Sequence, residues 1–153
     1  MGSTHAEAYR VLDNAELVAV ADLVPERAQA IAARTGATVR SASEIIADPS
    51  IDVIDVCVPT YLHRDFVVAA ADAGKHVFCE KPMARTLTEA EEMKAACDKA
   101  GVRLGIGHVV RFFPEYIRAY NKVHSGEVGK VAVVRCTRGG FNLPTAWKDW
   151  YAN

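Results

Sequence analysis

Residues 53–82 read VIDVCVPTYLHRDFVVAAADAGKHVFCEKP, and the fold is decided there. The run 53–58 is short and almost continuously apolar, the pattern of a strand covered on both faces. Pro59-Thr60 interrupts it, and residues 63–73 read as a helix that Gly74 closes. Residues 76–79 form a second apolar run, ending at Glu80-Lys81-Pro82. Two buried-type strands joined through a helix by short connections imply a parallel pair with a crossover.

The same unit recurs outward in both directions. Upstream, the apolar run 17–21 predicts a strand with Asp22 directly at its C-terminal end. Pro25 and Gly36 bracket a helix in the order that proline and glycine favour. Residues 38–39 read as a short strand, and Ser43 as the cap of a brief helix that Asp48-Pro49 ends. Residues 1–12 are helical in character and stop at Asp13-Asn14. Downstream, Thr88 and Glu91 predict a capping box for a helix ending at Gly101, and residues 102–107 a further strand. The expected class is α/β, a doubly wound parallel sheet with helices on both faces. After Gly107 the rhythm changes to an amphipathic helix over 113–124 and an alternating run, 130–137, that predicts a long antiparallel strand. Residues 1–108 therefore read as one domain and 109–153 as the start of a second, closed by Gly139-Gly140 and a tail containing Trp147, Trp150 and Tyr151.

Bulk properties narrow the function classes. The chain has 153 residues, is 50% hydrophobic and 24% charged, and carries a formal net charge of -1. That balance argues for a globular protein without general affinity for nucleic acid or anionic membrane. No apolar run approaches the roughly 20 residues that cross a bilayer, and the N-terminal MGSTHAE has no basic, apolar leader pattern. Cys57, Cys79, Cys97 and Cys136 lack paired spacing, and no histidine lies at ligand spacing from them. No metal site is expected, the cysteines read as reduced, and a cytoplasmic location is the simplest account.

In open α/β sheets, ligands bind beyond the carboxyl ends of the strands. Asp22, Pro59-Thr60, Glu80-Lys81-Pro82 and His108 each follow a different predicted strand and together suggest a cleft. An acidic residue at Asp22 would accept hydrogen bonds from a ribose and repel a 2′-phosphate, favouring NAD over NADP; a turn aspartate is the competing reading. Lys81 is the candidate for proton handling, because oxidising an alcohol by hydride transfer also requires its hydroxyl proton to be taken up; an ordinary surface lysine is the alternative. Pro82 restricts the backbone at Lys81. His63 begins a helix and by itself reads as a helix residue rather than a ligand.

Taken together, MGSTHAEAYR, VAVADLVPERA, VCVPTYLH, AGKHVFCEKPMA and GHVVRFFPEY resemble, in order and spacing, the Gfo/Idh/MocA family of oxidoreductases. The resemblance implies a Rossmann domain followed by an α/β domain with an open sheet. It also implies NAD(P)-dependent oxidation or reduction of a sugar, cyclitol or related polyol. By the same resemblance Lys81 would lie at nicotinamide and substrate, Glu80, Thr60 and His63 near the cofactor, and Asp22 at the ribose. Association between chains through the second-domain sheet is a further implication.

The departures shape the expectations equally. Met1-Gly2 matches only the last two positions of the glycine-rich turn that holds a pyrophosphate at a helix N-terminus. The first strand of the Rossmann order is missing, and so is the aspartate–histidine pair that supplies the family's second catalytic element. The chain thus reads as truncated at both ends and by itself inactive. Its sheet should be left with unpaired interior edges, because the first strand lies in the middle of that order. Three roles stay open: part of a dehydrogenase, a non-catalytic binding or regulatory module of dinucleotide-type fold, or a structural partner for another chain.

Overall fold

The computed structural model describes residues 1–137 and 139; the aromatic tail and Gly140 lie outside them. The chain divides into two compact units, Met1–Val109 and Val110–Asn153. In the first, α1 (Gly2–Tyr9), β1 (Ala19–Val20), α2 (Pro25–Thr35), β2 (Thr38–Val39) and α3 (Ala42–Ala47) precede β3 (Val53–Val56), α4 (His63–Asp72), β4 (His76–Cys79), α5 (Leu87–Ala100) and β5 (Leu104–Ile106). A turn of 3-10 helix, Thr60–Leu62, links β3 to α4.

Every strand pair is parallel. β4 is the centre of a three-stranded sheet in the order β3-β4-β5, and β1 pairs only with β2. Among the described residues no ladder joins β1 to β3. The sheet therefore exists as two pieces, separated where the Rossmann order calls for its first strand.

The core belongs to the larger piece. Ile54 and Val56 of β3, Val77 and Cys79 of β4, Val67, Ala70 and Ala71 of α4, and Met93 and Cys97 of α5 are all buried in one cluster. Alternation along β3 explains the division of labour: Ile54 and Val56 enter this cluster, whereas Asp55 and Cys57 take the opposite face. That second face meets α1. Gly2, His5 and Tyr9 follow one helical stripe onto it, and a Cβ at Gly2 would sit 3.5 Å from that of Cys57.

Local signals act as their chemistry dictates, with two shifts of frame. Gly36 (φ 80°) ends α2 and Gly101 (φ 68°) ends α5, both in the left-handed region that disfavours a Cβ. The cap of α3 is Ser41 rather than Ser43. Glu44 stands three residues after Ser41, so each side chain bonds the other's backbone N–H; Ser43 has Ile46 at that offset. The cap of α5 is likewise Thr86, which accepts from the Glu89 N–H at 3.2 Å, rather than Thr88. The earlier frame also lets Glu89 accept from the Arg85 backbone and pair with its guanidinium. Lys75, 7% exposed, donates to the carbonyls of Asp48 (2.6 Å) and Ile51 (2.7 Å), tying the turn before β3 to the start of β4.

In the second unit, α6 (Pro114–His124) begins with proline in its first turn and buries none of its residues. The strand expected over 130–137 does not form. A strand takes its hydrogen bonds from a neighbour, none of the described residues supplies one, and Val133 and Val134 are exposed.

Candidate active site

The carboxyl ends of β3, β4 and β5 carry the polar groups, and two buried side chains organise them. Glu80 directly follows β4, is 7% exposed, and has both carboxylate oxygens engaged. Its Oε2 accepts from the Lys81 backbone N–H at 2.9 Å, and its Oε1 lies 3.1 Å from Nε2 of His5. Gly107, after β5, makes room: a Cβ there would come within 3.4 Å of that Oε1.

His63 is the second organiser. It is 1% exposed, with Nε2 2.9 Å from the Val58 carbonyl and Nδ1 3.0 Å from that of Pro82. The imidazole thus staples the turn after β3 to the turn after β4. The Lys81-Pro82 peptide in that second turn is cis. Both ring nitrogens of His63 face protein carbonyls, and the ring is shielded from solvent.

With Glu80 and His63 holding the backbone on either side, the Lys81 side chain is exposed at the sheet edge. Its ammonium makes no hydrogen bond or ion pair to protein among the described residues. Thr60, half-buried, opens the 3-10 turn after β3. Asp22 stands two residues past β1, exposed, with Oδ1 accepting from the Val24 N–H at 2.8 Å. That bond is local to the turn, and no hydrogen-bond partner for Oδ2 is found among the described residues. Met1 caps α1 without a side-chain bond, and Gly2 begins that helix. His108 is exposed after β5. The structure brings Glu80, Lys81, Thr60 and His63 to the β3–β4 end, while Asp22 belongs to the smaller sheet piece. An apolar groove between α3 and α4, lined by Ala42, Ile46, Phe66 and Ala69, contains none of these residues.

Sequence spacing gave no hint of what lies beneath Glu80. His5 of α1 places Nδ1 2.9 Å from Asp55 Oδ2 and 3.2 Å from Cys57 Sγ. Tyr9 donates to the same Asp55 oxygen at 2.9 Å. The hydrogen bond to Asp55 raises the pKa of His5 against the opposing effect of burial, and the charges of Asp55 and Glu80 reinforce it. Burial first, then the Asp55 charge, pushes the Cys57 thiol and the Tyr9 phenol up. Burial also pushes Cys79 up to about 12. The only readable signal was the period-2 placement of Asp55 and Cys57 within an otherwise apolar strand.

A parallel α/β sheet with its polar residues gathered at the carboxyl edge defines a nucleotide-binding type of domain. Residues 1–108 match the oxidoreductase family with NAD-binding Rossmann fold, Gfo/Idh/MocA, and the chain belongs to that family. It is 34% identical over 139 residues to the myo-inositol 2-dehydrogenase of Thermotoga maritima, covering 90% of this chain and 42% of that protein. It is 35% identical over 137 residues to the 1,5-anhydro-D-fructose reductase of Ensifer adhaerens, covering 88% and 41%. Among solved structures, the WlbA dehydrogenase of Bordetella pertussis, in complex with NADH and UDP-GlcNAcA, superposes with a TM-score of 0.73 at 34% identity, covering 84% of this chain and 36% of that one. The chain thus spans less than half the length of these relatives. No helix among the described residues is long and apolar enough to cross a membrane.

Proposed function

We propose that this chain is the nucleotide-binding portion of an NAD-dependent dehydrogenase acting on a sugar, cyclitol or related polyol, with residues 109–153 beginning its substrate domain. The observation that carries the reading is the turn at Glu80-Lys81-Pro82. Two buried side chains hold its backbone, and the lysine projects from the carboxyl edge of the sheet. The donor set fits a nicotinamide dinucleotide: Asp22 keeps a carboxylate oxygen free for ribose hydroxyls, and Thr60 and Lys81 offer polar groups at the neighbouring strand ends.

Bound there, the cofactor would exchange a hydride with an alcohol or carbonyl carbon. The chain's own contribution is to orient and to move a proton. Lys81 Nζ would hydrogen-bond the substrate oxygen and, as the neutral amine, take its proton when an alcohol is oxidised, returning it from the ammonium when a carbonyl is reduced. Glu80 acts through the backbone of Lys81, and His63 by keeping the Pro82 carbonyl against β3. Met1 and Gly2, at the start of α1, would lie toward the pyrophosphate. The free carboxylate of Asp22 favours NAD, because a 2′-phosphate would meet its charge.

The test is NADH titration of the purified chain by fluorescence, with NADPH in parallel. Saturable NADH binding, stronger than NADPH and evened out in Asp22→Ala, supports the reading. A folded chain that binds neither supports the non-catalytic module instead. Lys81→Ala should abolish hydride transfer from any polyol the assembled enzyme accepts while leaving NADH binding within a few-fold. We also propose a cytoplasmic location, which suits four free cysteines, and self-association through residues 130–137, where Val131, Val133 and Val134 are exposed. Sedimentation showing only monomer would remove that last reading.

A further inference from the structure

Outside the edge residues, one cluster unites three ligating side chains from two elements. His5 of α1 and Asp55 of β3, together with Cys57 just beyond β3, place one ligand atom each within 4.8 Å of the other two. The measured separations are 2.9 Å from His5 Nδ1 to Asp55 Oδ2, 3.2 Å from that nitrogen to Cys57 Sγ, and 3.4 Å from Sγ to Asp55 Oδ1. Zinc bonds of about 2.0–2.1 Å to nitrogen, 2.0–2.2 Å to oxygen and 2.3 Å to sulfur would set tetrahedral donors about 3.4–3.6 Å apart. The two contacts of His5 Nδ1, to Asp55 Oδ2 and to Cys57 Sγ, need to open by roughly 0.3–0.5 Å; the short Cys57 contact is to the other oxygen of Asp55.

Two further features suit a metal. The first is charge. Asp55 and Glu80 flank one imidazole, and among the described residues no lysine or arginine forms an ion pair with either. A divalent cation would offset that partly buried negative charge. The second is the outer layer. With Nδ1 as ligand, His5 would turn Nε2–H toward Glu80 Oε1, the carboxylate–histidine arrangement that fixes the ring at many metal sites. Tyr9 donates to Asp55 Oδ2 and would orient that ligand in turn.

We infer that His5, Asp55 and Cys57 form a binding site for a single divalent metal ion of zinc type, with Glu80 and Tyr9 in its outer layer and water in the fourth position. A mixed nitrogen, oxygen and thiolate set selects zinc over magnesium or calcium. The Cys57 S–H and His5 Nδ1–H bonds break as the metal–sulfur and metal–nitrogen bonds form, and both protons pass to solvent. The ion would clamp α1 to β3, and through Glu80 it would adjoin the turn that holds Lys81.

The experiment is titration of the reduced chain with Co(II), followed by displacement with Zn(II). The expected result is a near-ultraviolet thiolate-to-cobalt band that saturates at one metal per chain, together with visible bands of tetrahedral cobalt. Cys57→Ser should remove the near-ultraviolet band, and Cys136→Ser, an exposed control, should leave it intact. Asp55→Asn and Glu80→Gln should weaken binding by about 10- to 100-fold each. Zn(II) should raise the melting temperature of the wild-type chain and not that of Cys57→Ser. No band from the reduced wild-type chain overturns the inference, as does a band that survives Cys57→Ser or is lost in Cys136→Ser. Circular dichroism identifies any variant that fails to fold; for such a variant the wild-type band and the zinc-dependent melting temperature decide.

Discussion

The two pieces of sheet in the first unit are built from the same kind of repeating element, yet they differ in what they bury. In the β3–β5 piece, β3 and β4 are four residues each and alternate cleanly, and α4 lies against both of them and against α5. Its cluster includes Val67, Cys79 and Met93, all at 0% exposure. In the β1–β2 piece the strands are two residues each, Val39 is 45% exposed, and the buried residues of the flanking segments are Ala28 and Ala37. A parallel strand is stable when covered on both faces and paired on both edges. β4 is paired on both edges, with Val77 and Cys79 buried on one face and Phe78 half-buried on the other. β1 has β2 on one edge and, among the described residues, no paired strand on the other, which is where the Rossmann order places its central strand. The lesson is that local sequence can nominate a strand, but neighbours decide how much of it forms.

The largest effect should come from emptying the packed half. Met93→Ala removes a fully buried side chain from between α5 and its surroundings and should cost about 2–5 kcal/mol, the usual range for such truncations. Val39→Ala, on the exposed face of β2, should change stability by less than about 0.5 kcal/mol. Urea denaturation of both variants measures the contrast. Equal losses would mean that the two pieces are coupled more tightly than the partial packing of Ala19, Ile45 and Ile46 against the cluster implies.

Native-state hydrogen exchange sharpens the same comparison without mutation. The amides of Val77, Glu80 and Gly107 donate across the β3-β4-β5 ladder, and those of Thr38 and Arg40 across β1–β2. Protection of the first set should exceed that of the second by about 100-fold, because the smaller piece can open while the larger stays closed. Matching protection would show that β1–β2 unfolds only with the whole unit.

A smaller loss is expected at the hinge between the pieces. Lys75→Met keeps the aliphatic stem but strips the Ile51 carbonyl of its donor and leaves that of Asp48 with the Ile51 N–H alone. Leaving such acceptors unsatisfied costs about 1–3 kcal/mol. The expected signature is a lowered urea midpoint together with faster exchange at Ser50 and Ile51. An unchanged midpoint would mean that water replaces the ammonium there.

How far the sequence reveals this molecule follows from the range of each interaction. Apolar runs and glycine stops are local, and they locate β3, α4, β4 and the ends of α2 and α5. The turn at Glu80-Lys81-Pro82 is local too, so its place at the strand end is legible. Thr86 and Thr88 both precede a glutamate by three residues, and pattern alone does not choose between them; the choice rests on Arg85, which engages Glu89 only in the earlier frame. His63 reads as an ordinary helix start because its partners, the Val58 and Pro82 carbonyls, belong to two different turns. The cluster of His5 with Asp55 and Cys57 spans about fifty residues of chain and becomes visible only once α1 lies on β3. Residues 130–137 show the converse: alternation is present in the sequence, but among the described residues there is no neighbouring strand to use it.

The smallest predicted effect separates local from global stability. Thr86→Ala and Ser41→Ala each remove one N-cap bond, to the N–H of Glu89 and of Glu44, and each should weaken its helix by about 1 kcal/mol. α5 carries Met93 and Cys97 in the core, so loss of its cap should lower the global urea midpoint. α3 buries none of its residues fully; it lies against β1, and its partly buried Ile45 and Ile46 touch only the margin of the core cluster. Loss of the Ser41 cap should therefore accelerate exchange within 42–48 and leave the global midpoint nearly unchanged. A Ser41→Ala variant whose midpoint falls as far as that of Thr86→Ala would mean that the thinly packed half is coupled to the core after all, and the contrast drawn above would fail at its most sensitive point.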